Sequence, residues 1–122
     1  SRYFQGGVIA YANEVKMEIL GVAEQTLINH GAVSRETVLE MARGVRTALG
    51  TDIGISSSGI AGPDGGSPQK PVGLAWIGLS AAGNEYAEQF LFVGDRLAIK
   101  EQAVHSAIER LINFLPELSQ VE

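Results

Sequence analysis

A chain of 122 residues and 12.9 kDa is one small domain, and 45% apolar residues with a mean hydropathy of +0.10 suffice for a single core. A charged fraction of 19% excludes disorder along the whole chain, and no apolar run reaches the ~18 residues of a bilayer span. Nine basic against fourteen acidic residues, net −5, leave no basic stripe for nucleic acid, and the lack of cysteine excludes disulfides, thiol catalysis and cysteine-based zinc sites.

The opening Ser1-Arg2-Tyr3-Phe4 is neither a signal peptide nor a transit sequence. It reads as a turn entering an apolar strand, as though the first elements of the domain lie upstream. Gly7 to Ala12 is that strand, a short apolar run bounded by Gly6-Gly7 and Asn13. Asn13 is placed to cap a helix from Glu14 to about Leu20 that Gly21 ends. A second short helix, Ala23 to Asn29, stops at His30-Gly31. Ser34 caps a longer one, whose positions Val38, Met41, Ala42, Val45, Ala48 and Leu49 follow a 3.6 period up to Gly50.

Ile53 to Ser57 reads as a strand, and Gly73 to Leu79, apolar on both faces, as the central strand of the sheet. Glu85 to Val93 follows across Ala82-Gly83-Asn84, a hairpin connection that makes one pair antiparallel. Asp95 caps the last helix, with Val104, Ala107, Ile108, Leu111, Ile112 and Leu115 as its stripe. Pro116 is expected to end that helix and leave a frayed tail. Helices before, between and after strands give an α/β layered domain with a mixed sheet.

Among the candidate functional segments, the loop from Gly59 to Pro71 is the most informative. Its thirteen residues hold four of the chain's fifteen glycines and three of its four prolines. Glycines permit close backbone approach to a ligand, while prolines stiffen the frame. The loop leaves the end of a strand, where ligands bind in open α/β sheets, yet it matches neither the P-loop nor the dinucleotide fingerprint. A backbone nest for an anion and an inert connection both remain open.

Lys16 is the second candidate. With Asn13 as cap it falls at the third helical position, where the macrodipole disfavours a cation, and no carboxylate stands three or four residues away. A lysine so placed is a candidate for a lowered pKa and for general-base work on a hydroxyl nucleophile, with Tyr11 beside it; the alternative is a solvated surface lysine. His30 suits a helix end, and His105 lies on the flank of the last helix. Two histidines and no cysteine make a closed transition-metal site improbable. Ser56-Ser57-Ser58 lacks a nucleophile elbow, and strand alternation buries at least one of the three. Gly94-Asp95-Arg96 sets an arginine beside a capping carboxylate, suited either to an anion or to a plain cap.

Five ordered blocks together resemble a known family. They are Phe4-Gln5-Gly6-Gly7-Val8-Ile9-Ala10-Tyr11-Ala12-Asn13-Glu14-Val15-Lys16, His30-Gly31-Ala32-Val33-Ser34, Ser58-Gly59-Ile60-Ala61-Gly62-Pro63-Asp64-Gly65-Gly66, Lys70-Pro71-Val72-Gly73 and Gly94-Asp95-Arg96. The family is the CinA C-terminal domain (competence/damage-inducible protein CinA), whose enzymatic members are nicotinamide-nucleotide amidases.

The resemblance implies a three-layer α/β/α sandwich with a mixed sheet, often dimeric. It also implies a cytoplasmic, cofactor-free and metal-free hydrolase, which takes a small-molecule nucleotide and no nucleic acid or membrane. Such an enzyme converts nicotinamide mononucleotide to nicotinate mononucleotide and ammonia. Lys16 and Tyr11 fall on the family's catalytic positions. Asn13, Ser58, Gly59, Gly62, Asp64, Gly65, Gly66 and Arg96 fall where substrate would bind. The family's nucleophilic serine belongs to a Ser-Cys-Thr-Gly-Gly element preceding the Lys16 block. No such element occurs in residues 1–122, so either an upstream segment supplies it or the protein has lost its nucleophile, the alternative reading being a non-catalytic nucleotide-binding or dimerisation module of a larger CinA-like protein. Ala12 and Ser58 replace other small residues of the family pattern.

Overall fold

The computed structural model describes residues 3–121, with side chains through Leu115. Its elements in chain order are α1 (Asn13–Glu18), α2 (Glu24–His30), α3 (Arg35–Leu49), β1 (Ile53–Gly59), β2 (Leu74–Ala81), β3 (Asn84–Leu91) and α4 (Arg96–Val121). The α/β class and the central position of β2 follow the sequence reading. The strands lie in the order β1-β2-β3, and both pairings are antiparallel. The parallel component of the expected mixed sheet has no counterpart among the described residues, because Gly7 to Ala12 is not a strand. No strand pairs with that stretch among the described residues, and without a ladder an apolar run stays extended coil.

The three layers follow from strand alternation. On one face of the sheet, Gly54, Ser56, Gly78 and Ser80 lie under α3. Ser56 Oγ donates to the Val38 carbonyl at 2.5 Å, and an added Cβ on Gly54 would sit 2.0 Å from the Ala42 carbonyl oxygen. The opposite face carries Ile53, Ile55, Leu79 and Ala81, which pack with Tyr86 against Leu111 and Phe114 of α4. A bidentate pair, Arg110 to Glu88 at 2.8 and 3.0 Å, holds α4 to β3.

Local chemistry sets most of the ends. Ser34 Oγ accepts from the Thr37 amide at 3.2 Å, Gly50 closes α3 at φ 63°, and Asp95 Oδ1 accepts from the Ala98 amide at 2.9 Å. A long-range partner caps α2: Glu40 of α3 accepts from the Ala23 amide at 2.9 Å and from Thr26 Oγ1 at 2.6 Å.

Three expectations are corrected. The cap of α1 is Ala12, with no side-chain bond, so Asn13 is its first helical residue and Lys16 its fourth. Helix α4 does not stop at Pro116 but runs through it to Val121, because proline removes one i→i−4 bond without forbidding the helix on either side. Nor does its predicted stripe face the core as one. Leu111 does, joined by Phe114 from outside the predicted stripe, whereas Val104, Ile108 and Ile112 are exposed. Ser1, Arg2 and Glu122 lie outside the described residues.

Helix α3 approaches its neighbours so closely that glycine is required at Gly44, where an added Cβ would lie 1.7 Å from the Leu20 carbonyl oxygen. In an isolated helix Gly→Ala adds about 1 kcal/mol of stability. Here the forced shift of a buried backbone outweighs it, so Gly44→Ala should destabilise the fold by about 1–3 kcal/mol. Urea unfolding midpoints measure this, and an unchanged or raised midpoint refutes the packing argument.

Candidate active site

Lys16 anchors the site. It is buried at 5% exposure on the inner face of α1. Nζ donates to the Ala10 carbonyl at 2.7 Å and to the Tyr11 carbonyl at 3.4 Å. No carboxylate pairs with it among the described residues. Burial without a counter-charge penalises the ammonium, so the amine titrates below its ordinary value. A neutral amine has two N–H groups and a lone pair, so two carbonyl acceptors leave that lone pair free to take a proton.

Lys16 opens on a cleft of about 1060 Å³ between residues 3–11 and the outer edge of β1. Of the residues picked from the sequence, Tyr11, Asn13, Ser58 and Gly59 line the same cleft. Tyr11 meets Lys16 through its main chain; its side chain is 92% exposed. Asn13 is exposed at the helix start. Ser56, bonded to Val38, is structural, whereas Ser57 on the opposite face is exposed towards the cleft.

The rest of the predicted set forms a second group. Gly62, Asp64, Gly65 and Gly66 belong to the loop beyond Gly59, and none of them lines the Lys16 cleft. Arg96 joins this group, since its Nη1 donates to the Gly62 carbonyl at 3.0 Å. Arg96 therefore holds the loop to the start of α4. Lys70 does the same at the other end, donating from Nζ to the His30 carbonyl between α2 and α3. Sequence reasoning missed this lysine as a tie, because its partner is a main-chain oxygen forty residues away. It also missed Ala32 and Val33 in the cleft wall, small apolar residues that carry no chemical signal. His30 and Glu36 approach at 3.5 Å and His105 and Glu109 at 3.5 Å, outside the cleft. Among the described residues no three His, Asp or Glu side chains are grouped to hold a metal ion.

The burial of Lys16 has a pH signature. Its folded value lies below the unfolded 10.5, so the cost of burying the cation is full at pH below the folded value and vanishes as pH rises towards 10.5. Lys16→Met should therefore be more stable than the wild-type chain at neutral pH, with a gap that narrows through that window. Urea midpoints of both proteins across neutral to alkaline pH test this; parallel curves would place the ammonium in solvent.

The model of the CinA C-terminal domain matches residues 1–115. A putative competence-damage inducible protein of Moorella thermoacetica is 51% identical over 108 residues, and a CinA-like protein of Salinibacter ruber 49% over 109. These matches cover 88% and 89% of the chain but only 26% of either relative, so the chain spans about a quarter of their length. Among solved structures, a CinA superfamily protein of Klebsiella pneumoniae superposes with a TM-score of 0.87 at 38% identity, covering 91% of this chain and 69% of that one. A competence/damage inducible protein of Agrobacterium tumefaciens gives 0.82 at 39% identity, covering 84% and 64%. No helix among the described residues is long and apolar enough to cross a membrane. Identity at this level over nearly the whole chain, together with the family match, has one consequence: the chain belongs to the CinA C-terminal domain family.

Proposed function

We propose that this domain is the amine-bearing part of an amidase that converts nicotinamide mononucleotide and water to nicotinate mononucleotide and ammonia. The observation that carries the reading is Lys16, buried, without a carboxylate, and held by two carbonyls at the wall of a large cleft. In this reading its free lone pair takes the proton of a serine hydroxyl supplied by polypeptide outside the described residues. The oxygen attacks the carboxamide carbon, and backbone amides stabilise the resulting oxyanion. The ammonium of Lys16 then returns the proton to the departing nitrogen, which leaves as ammonia. Water hydrolyses the acyl ester and regenerates the hydroxyl. No cofactor or metal enters any step.

A second reading, a nucleotide-binding or dimerisation module without activity, draws on the separation of the Gly62–Gly66 loop and Arg96 from Lys16. The same measurement divides the two. Lys16→Arg keeps a cation but removes the deprotonated form, since guanidinium stays charged. In the full-length protein, ammonia release from nicotinamide mononucleotide should collapse in Lys16→Arg while calorimetric affinity for the nucleotide survives. Turnover near wild type in the variant removes Lys16 from the mechanism. Binding with no ammonia release by the unsubstituted full-length protein selects the module.

A further inference from the structure

The tip of the loop after β1 bridges two seats on one residue, Val72. At Gly62 an added Cβ would lie 2.6 Å from Val72 Cγ1, and at Gly66 one would lie 2.8 Å from the Val72 amide nitrogen and 2.9 Å from Cγ2. Both glycines therefore rest against Val72, and Arg96 holds the first of them through its carbonyl at 3.0 Å. Pro63, Asp64 and Gly65 span the gap, and all of them are exposed.

Within that span stands the one Asp-Gly pair of the chain. The Asp64 carboxyl has no hydrogen bond or ion pair among the described residues. The Gly65 amide likewise makes no backbone hydrogen bond among them, and glycine brings no side chain to shield it. An aspartyl Cγ and the amide nitrogen of the next residue stand at the separation that closes a succinimide ring.

The other aspartates and asparagines are placed differently. Asp52 precedes the β-branched Ile53, and Asp95 engages Oδ1 with the Ala98 amide at 2.9 Å. Asn13, Asn29, Asn84 and Asn113 lie within α1, α2, β3 and α4, and they precede Glu14, His30, Glu85 and Phe114. Each of the six is followed by a residue with a side chain, which crowds the amide nitrogen that would have to attack.

We propose that Asp64–Gly65 is a site of spontaneous succinimide formation whose isoaspartyl product unseats the loop from Val72. The Gly65 nitrogen attacks Cγ of the protonated Asp64 carboxyl. The N–Cγ bond forms, and the carboxyl OH leaves as water with the amide proton. Water then opens the ring. Addition at Cγ breaks the new bond and restores the aspartate. Addition at the main-chain carbonyl carbon breaks the original peptide bond and leaves isoaspartate, with the chain now running through Cβ and Cγ. One water is lost and one regained, and no other reactant is required.

The isomer adds a carbon to the main chain of the bridge. A bridge of three residues between two close-packed seats has no slack for another atom, so Gly62 and Gly66 cannot both keep their contact with Val72. The base of the loop is spared. Its bonds, from the Ile60 amide to the Leu74 carbonyl at 2.9 Å and from the Gly73 amide to the Ile60 carbonyl at 2.7 Å, lie outside the bridge. The reaction needs only Asp64, Gly65 and water, and it is independent of the amidase reading.

The test incubates the full-length protein at neutral pH and physiological temperature, then digests it and separates the peptides. Isoaspartate is identified by enzymatic methylation of its α-carboxyl with a labelled methyl donor. The expected result is progressive loss of the aspartyl peptide containing residues 63–66 to an isoaspartyl peptide of equal mass, through a species lighter by one water. The peptides containing Asp52 and Asp95 stay unchanged. In Asp64→Glu, where the ring would be one atom larger, the product is lost. Methyl resonances of Val72 shift in proportion to the isoaspartyl fraction. A synthetic peptide of residues 59–71 is the positive control for the conditions. The proposal is overturned if the folded protein forms no isoaspartate at Asp64, which would mean that the seated loop bars ring closure. It is overturned equally if the product accumulates while the Val72 signals keep their positions. No readout involves a nucleotide or ammonia.

Discussion

Helix α3 is the beam on which the described fold rests. It seats on the sheet through main-chain carbonyls set against glycine, Ala42 over Gly54 and Val38 over Gly78, and against the end of α1 through Gly44 beneath Leu20. At such distances no side chain fits, so the contacts fix helix height to within a few tenths of an ångström. With that height set, the apolar side of α3 holds β1 and β2 below it and Val8 and Ala10 beside it. The cleft is the space left between these two burdens of one helix.

Burial of Lys16 is a consequence of the same arrangement. The chain turns back after α1, with the Val22 amide bonded to the Lys16 carbonyl at 3.0 Å, and Leu20 and Val22, just beyond the inner face of the short helix, pack on Met41. A lysine on that face loses water whether or not a counter-ion is provided. The other well-placed cations differ in kind. Arg43 is paired with Glu85 at 2.7 Å and Arg110 with Glu88 at 2.8 Å, each on partly exposed side chains where such pairs add at most about 1 kcal/mol. Glu85 also accepts from Ser80 Oγ, and its pairing with Arg43 lowers its carboxyl below the ordinary range. These two charges are neutralised by carboxylates at the rim, whereas Lys16 is buried with only carbonyl partners. That contrast is the physical basis for reading Lys16 as chemistry.

The loop after β1 is organised by cations meeting carbonyls. Arg96 holds its first half through Gly62 and Lys70 its second half through His30, so it is fastened to α4 on one side and to the α2–α3 junction on the other. The glycines there serve close main-chain packing as well as openness; an added Cβ on Gly66 would meet the Val72 amide nitrogen at 2.8 Å. Loop and cleft share β1 as their common root, with Gly59 ending the strand and lining the cleft.

Local rules carried the reading of α2, α3 and the three strands, because caps, turn residues and short-range periodicity suffice there: Ser34, Gly50, Asp95 and the Ala82-Gly83 turn stand where their chemistry puts them. The family blocks singled out Lys16 and Tyr11, and the placement of Lys16 beside a helix start was itself legible. Its burial was not, since that depends on how the chain around α1 packs in three dimensions. For residues 7–11 the alternation was in the sequence but strand formation needs a neighbour, and a neighbour is a tertiary fact. The orientation of α4 was likewise undecided locally, because two apolar stripes share the helix and only packing against Leu79 and Ala81 chooses between them. The sequence by itself determined the elements and the residue types of the site. Tertiary structure alone decided which lysine loses its water and which backbone edges remain open, because desolvation and strand pairing both depend on what stands opposite.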